Sequence, residues 1–238
     1  MRLDKFVDNK RGNDEHIDEM VKILKRDCDK FLTHIANESP AEFSWIYRAV
    51  EISYGDDWKP NLPNKTAGLL KKKSHLEGGR NTRLTGLYIQ ELFNNAGNEV
   101  FGWPIRDGVS TGTDLTLLRA FGEPKIFLPI GDYKFVWEPR VMDFNSAFLS
   151  RVDDTLGMPE ERMAWAKLKT YRYKSRAEAE ECQKILQPAI NTYVKRHFTD
   201  KNLYAAMKNG GEIDFKCTSY YLVLDNDGFY EAYNRGWG

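Results

Sequence analysis

Residues 209–217 read Asn-Gly-Gly-Glu-Ile-Asp-Phe-Lys-Cys, and this stretch decides the class of fold. From Glu212 onward the polar residues Glu212, Asp214 and Lys216 alternate with Ile213, Phe215 and Cys217. Side chains of an extended chain point to opposite faces in turn, so this period of two predicts a strand. Just before it, residues 202–208 form a short helical run that Asn209-Gly210-Gly211 can stop, because glycine takes up the left-handed conformation of a helix C-cap without steric cost. Just after it, Tyr220 to Leu224 continues as strand, and Asp225-Asn226-Asp227-Gly228 reads as a turn.

Upstream, Ile17, Met20, Val21, Leu24, Cys28, Phe31, Leu32 and Ile35 recur at helical spacing. Asn13 or Asp14 can cap the start of that helix, and Pro40 ends it. Residues 43–50, Phe-Ser-Trp-Ile-Tyr-Arg-Ala-Val, are aromatic and β-branched enough for a strand, with Arg48 on the side of Ile46 and Val50. Residues 54–79 carry turn residues, prolines and Lys71-Lys72-Lys73, and are expected to be a loop. A second helical period runs through Leu84, Leu87, Tyr88, Leu92 and Phe93 and is expected to end at Gly97. A short strand at residues 108–111 precedes a short helix through Leu117, Leu118 and Phe121. Residues 125–130 and 133–137 form either a hairpin through Gly131-Asp132 or one bent strand. Residues 144–198 are mainly helical, with Pro188 expected to interrupt the longest helix. Strands scattered among helices predict an α+β fold with mainly antiparallel sheets. The expected organisation is a single domain over residues 1–238, with a leading helix in 1–42 and a helical insertion at 144–208.

Composition excludes several classes of function. Lys plus Arg and Asp plus Glu number 35 each, for a formal net charge of zero, which argues against uniform coating of nucleic acid. Hydrophobic residues at 41% and aromatics at 13% exclude wholesale disorder. No segment approaches the roughly 18 consecutive apolar residues of a bilayer span, so no membrane association is expected. Met1-Arg2-Leu3-Asp4-Lys5-Phe6 has no apolar run behind its charges, so no secretory signal is read there. Cys28, Cys182 and Cys217 are far apart and odd in number, and His16, His34, His75 and His197 lie on unrelated segments, so no metal site is expected. Glycine-rich phosphate loops and a Gly-x-Ser-x-Gly elbow are missing. Lys71, Lys72, Lys73, Arg80 and Arg83 face one acid, Glu77. They read either as a solvated loop and basic helix start, or as contacts for a phosphate-bearing ligand or nucleic acid.

Three segments stand out when taken together: Tyr47-Arg48-Ala49, Ser110-Thr111-Gly112-Thr113, and Gly210-Gly211-Glu212-Ile213-Asp214-Phe215. Their order resembles the Arg–Ser–Glu series of the mono-ADP-ribosyltransferase fold. In that family an early strand carries a Tyr-Arg-Gly-like motif, a second carries Ser-Thr-Ser, and a late strand opens with the catalytic glutamate. Residues 80–144 are also similar to a group of tailed-bacteriophage proteins related to that fold. The shared segments are Arg80-Asn81-Thr82-Arg83, Phe101-Gly102-Trp103-Pro104-Ile105-Arg106 and Pro129-Ile130-Gly131-Asp132-Tyr133-Lys134-Phe135-Val136-Trp137. The closing strand of that group matches residues 212–221, and the likeness covers about residues 43–225.

The resemblance implies an ADP-ribosyltransferase-like fold and an NAD-dependent transferase of the glycosyltransferase type. Its acceptor would be a host protein or nucleic acid, met during phage infection in the host cytoplasm, with the enzyme free or packaged in the virion. NAD is the implied co-substrate. Glu212 would stabilise the oxocarbenium ion formed when nicotinamide leaves, by electrostatics and a charge-assisted hydrogen bond. Arg48 would hold a phosphate or ribose oxygen with paired donors. Ser110 and Thr111 would orient the glutamate or bind the nicotinamide ribose, Phe121 would stack on nicotinamide, and Arg80 and Arg83 would contact phosphate. Gly210 stands where arginine-modifying members carry a first acid, which leaves another acceptor, plain NAD hydrolysis or lost activity open.

Each residue also has a structural reading. Arg48 could sit in a buried ion pair. Ser110 to Thr113 could cap the helix that follows, with Thr113 best placed. Glu212, Asp214 and Lys216 could be the wet face of an edge strand. The corresponding alternative function is a non-catalytic virion component or host-factor binder that retains the fold.

Overall fold

The computed structural model describes residues 3–38, 45–50, 65–74, 86–142 and 146–238. Among them it is an α+β protein with two antiparallel sheets and nine helices. The strands are β1 (Tyr47–Val50), β2 (Lys65–Thr66), β3 (Leu69–Lys73), β4 (Val109–Thr111), β5 (Glu123–Pro129), β6 (Lys134–Trp137), β7 (Ile213–Lys216) and β8 (Ser219–Val223). Contacts divide the chain into two units, one drawn from residues 1–73, 114–133 and 217–238, the other from 74–113 and 134–216.

The first unit holds a five-stranded sheet in the order β1-β5-β8-β3-β2. Its helices begin with α1 (Leu3–Asp27) and α2 (Asp29–Glu38). Ile17, Met20, Leu24, Cys28, Phe31, Leu32 and Ile35 are buried, as their spacing predicts. Yet the helix divides at Cys28, whose carbonyl accepts from the N–H groups of both Phe31 and Leu32. The expected cap at residue 13 or 14 is not a helix start, since α1 already runs from Leu3 and Asp14 instead accepts from Arg235 at 2.8 Å. Pro40 lies outside the described residues.

The expected loop is partly strand. Ala67 (φ 46°) and Gly68 (φ 70°) make the positive-φ two-residue turn that suits a tight hairpin, and Leu69 and Leu70 anchor β3 in the core. Lys71, Lys72 and Lys73 therefore lie in register with Tyr221, Tyr220 and Ser219 of β8. The reading of 225–228 as a turn is also corrected. Asp225 accepts from Gly228 N at 3.0 Å and caps α9 (Asn226–Trp237), which buries Phe229 and Ala232 beside Trp45. Asp114, not Thr113, caps α4 (Leu115–Arg119), accepting from the N–H groups of Thr116 and Leu117.

The second unit holds a three-stranded sheet in the order β4-β7-β6, with β7 in the centre. Its helices are α3 (Leu87–Phe101), α5 (Ser146–Thr155), α6 (Pro159–Lys169), α7 (Arg176–His197) and α8 (Leu203–Asn209). Helix α3 does not stop at Gly97. It runs on to Gly102, whose φ of 74° provides the left-handed cap. A Cβ on Gly97 would lie 2.6 Å from Ile105 Cγ2 and 2.8 Å from the Trp103 carbonyl, so that glycine serves close packing inside the helix. Helix α7 likewise continues through Pro188. Phe93, Trp103, Val136, Trp165, Leu186 and Ile190 share one core, so the helices of 144–208 pack on α3 and the sheet of their own unit.

Strands β5 and β6 form neither the expected hairpin nor one bent strand, because β5 pairs with β1 and β8 while β6 pairs with β7. Gly131 (φ 69°) turns the chain, and its N–H donates to the Asp27 carbonyl at 2.7 Å. In the same way β8 does not continue β7 but enters the five-stranded sheet.

Candidate functional site

The approach to Glu212 is built by three residues that the sequence places in a row. Asn209 ends α8, and Gly210 (φ 79°) supplies its left-handed cap. Gly211 follows at a point where a Cβ would lie 2.6 Å from the Val141 carbonyl, so only glycine lets residues 141 and 142 come this close. Glu212 N then donates to the Met142 carbonyl at 3.1 Å, which delivers the glutamate to the position immediately before β7.

Because β7 is central, its polar side is not the wet face of an edge strand. Asp214 is 0% exposed, and the Glu212 side chain is only 16% exposed. Between them lies Arg106, from a 3-10 turn at Ile105–Asp107, with 5% of its side chain exposed. Its Nη1 donates to Asp214 Oδ2 at 2.8 Å and to Glu212 Oε1 at 3.2 Å. Its backbone N–H donates to Asn94 Oδ1 at 2.7 Å, while Gln90 Nε2 donates to Asp107 Oδ1 at 2.8 Å and steadies the same turn. Burial by itself would push the guanidinium down, but the charges of Asp214 and then Glu212 outweigh it and hold Arg106 above its ordinary range. One cation thus serves two carboxylates.

Strand β4 closes the cluster from the other side. Ser110 stands directly opposite Asp214 in the register and donates to its Oδ1 at 2.6 Å. Thr111 Oγ1 donates to the Ile213 carbonyl at 2.8 Å and is buried, so its hydroxyl fastens the sheet. Thr113 Oγ1 donates to the Met207 carbonyl at 2.6 Å, tying this segment to α8. The second unit thereby sets Ser110 and Thr111 on the strand beside β7, opposite Asp214 and Ile213. Ser110 reaches the residue two positions beyond the expected glutamate, with Glu212 on the diagonal.

Arg48 and Phe121 belong to the first unit. Arg48 lies on β1 opposite Lys125, half-buried, with its guanidinium 5.6 Å from the centre of the Tyr220 ring. Phe121 is exposed just beyond α4. Arg80 and Arg83 lie outside the described residues.

Arg106 and Asp214 were not legible as site residues from pattern alone. The usable signals were a charged residue after the apolar run Trp103-Pro104-Ile105, and an acid two positions after Glu212 on the same strand face. Among the described residues no group of three or more His, Cys, Asp or Glu side chains is arranged to hold a metal. Burial pushes the thiols of Cys28 and Cys217 up, which leaves them poor nucleophiles. Among the described residues no helix is long and apolar enough to cross a membrane.

Chemically, the cluster offers a fixed, partly exposed carboxylate backed by a buried ion pair. It can accept a hydrogen bond from a hydroxyl and stabilise positive charge developing beside Glu212. Compared with models of protein families, with curated proteins and with solved structures, the chain matches none.

Proposed function

We propose that the protein is an NAD-dependent mono-ADP-ribosyltransferase that modifies a host macromolecule during phage infection. The observation that carries this reading is Glu212, held by Arg106 at the head of a strand whose neighbour bears Ser110 and Thr111. That pairing agrees with the Arg–Ser–Glu order that Tyr47-Arg48, Ser110-Thr111 and Gly211-Glu212 follow along the chain.

In the reaction, the bond between the ribose C1′ and the nicotinamide nitrogen breaks, and its electron pair leaves with nicotinamide. The ribose becomes an oxocarbenium ion, which the Glu212 carboxylate stabilises. A nucleophile on the acceptor then bonds to C1′ and gives up its proton. Arg48 keeps the role its motif supplies, a guanidinium for a phosphate or ribose oxygen of NAD. Water in place of the acceptor gives NAD hydrolysis by the same chemistry.

Turnover of labelled NAD by the purified protein, with and without bacterial lysate, tests this. Glutamate-dependent labelling of a lysate component is expected, with Glu212→Gln inactive and still folded. Equal turnover by Glu212→Gln and the parent would remove Glu212 from the chemistry. A second reading, a non-catalytic virion or host-factor-binding protein, is favoured by Gly210 in place of the first acid. It predicts no NAD turnover in either condition.

A further inference from the structure

A glutamate side chain has three rotatable bonds, and a carboxylate free to wander loses the fixed geometry on which electrostatic stabilisation depends. We infer that Arg106 is the positioning residue that fixes Glu212, and that Ser110 acts through Asp214 on this same assembly rather than on NAD. The inference rests on the reading of Glu212 given above.

The geometry has a fixed end and an adjustable end. Asp214 is sealed, accepts from Ser110 at 2.6 Å and from Arg106 at 2.8 Å, and so anchors the guanidinium. Glu212 meets the same nitrogen at the longer distance of 3.2 Å and keeps part of its side chain in solvent. A guanidinium Nη1 bears two N–H groups, so one can serve each carboxylate without competition. Glu212 is the member with exposed surface, where a cationic transition state would meet its carboxylate.

If Arg106 merely satisfied Asp214, Glu212 would be indifferent to it. Steady-state kinetics of the full chain with NAD separate the two cases. Arg106→Met is expected to lower kcat about 100-fold, the scale of a misplaced reacting group, with KM for NAD within about threefold of the parent. Arg106→Lys is expected to restore at least about tenfold of that loss, because an ammonium can still bridge both carboxylates. Ser110→Ala is expected to lower kcat and leave KM unchanged; a rise in KM alone would put its hydroxyl on NAD and overturn its assignment here.

Arg106→Met with parental kcat, beside an inactive Glu212→Gln, overturns the positioning role while leaving Glu212 in place. Should Arg106→Met fail to fold, Ser110→Ala carries the kinetic test. A melting-temperature cycle of Arg106→Lys with Glu212→Gln reads the contact without activity. Non-additive shifts are expected. Additive shifts overturn the inference, whereas non-additive shifts in a protein that never turns over NAD overturn the NAD reading alone.

Discussion

Replacing Asp214 by alanine tests the centre of the cluster through stability alone. The side chain is fully buried and takes hydrogen bonds from Ser110 and Arg106. Its removal leaves a guanidinium only 5% exposed with Glu212 at 3.2 Å, and takes from the Ser110 hydroxyl its 2.6 Å acceptor. Breaking a buried pair by deleting one partner costs about 3–5 kcal/mol. In a chain of this size each kcal/mol lowers the melting temperature by about 2–4 °C, so a fall of roughly 6–20 °C is expected. Asp214→Asn keeps the shape and an acceptor oxygen, and should lose about half as much. The double variant Asp214→Ala/Arg106→Met removes both charges, lets Glu212 turn to water, and should be more stable than Asp214→Ala by about 2 kcal/mol or more. Urea denaturation followed by tryptophan fluorescence measures all three. A loss under about 1 kcal/mol for Asp214→Ala, or a double variant whose loss equals the sum of its parts, would refute the cluster as drawn.

Gly211→Ala should destabilise by about 1–3 kcal/mol in the same urea titration, because its Cβ would press on the Val141 carbonyl from 2.6 Å. Since the contact lies one residue before Glu212, NAD turnover should fall with it. Pro188→Ala should raise stability by about 1–3 kcal/mol, measured by thermal melting, because α7 runs through an exposed proline that can supply no N–H to the helix. Glu138 is buried with Oε2 unpartnered, and burial raises its carboxyl above the ordinary range. The folded state then holds the proton more tightly than the unfolded chain, so this group lowers stability as pH rises from the ordinary carboxylate range through the raised folded value. Glu138→Gln should therefore be more stable than the parent at neutral pH, with the difference closing below the ordinary range in denaturation at a series of pH values.

The elements legible in the sequence were those whose packing is local or one-sided. Ile17 to Ile35 bury a stripe that any helix would bury, and Asn209-Gly210 caps a helix by backbone conformation alone. The misread elements depend on distant partners. Gly97 looks like a stop until Ile105 and Trp103 are packed against it. Lys71 to Lys73 look like loop because nothing nearby shows that β8 waits to pair with them. The hairpin expected at Gly131-Asp132 satisfies every local rule, yet β1 and β8 compete for β5 and β7 competes for β6. For the site, Glu212, Ser110 and Thr111 could be found because their residue types recur in an order that resembles a known family. Arg106 ends a segment that resembles the phage group, but its role was not legible there, since it comes from a tertiary contact spanning 106 residues of chain to Glu212 and 108 to Asp214.

The central place of β7 changes what its alternation means. On an edge strand, Glu212, Asp214 and Lys216 would be solvated and their charges screened, each contributing little. In the centre, Asp214 is stripped of water altogether, Glu212 nearly so, and Lys216 only in part. Desolvation therefore deepens from one end of the face to its middle, and the arginine sits where it is deepest. A buried ion pair of this kind is weak support for stability, because apolar residues of like volume commonly do as well or better. On the reading proposed above its use lies in geometry, holding the neighbouring Glu212 carboxylate at a partly open position. Local rules broken at a cost in stability are where a functional site is expected, and in this unit the break, the buried Arg106–Asp214 pair, adjoins Glu212, the glutamate of the proposed Arg–Ser–Glu order.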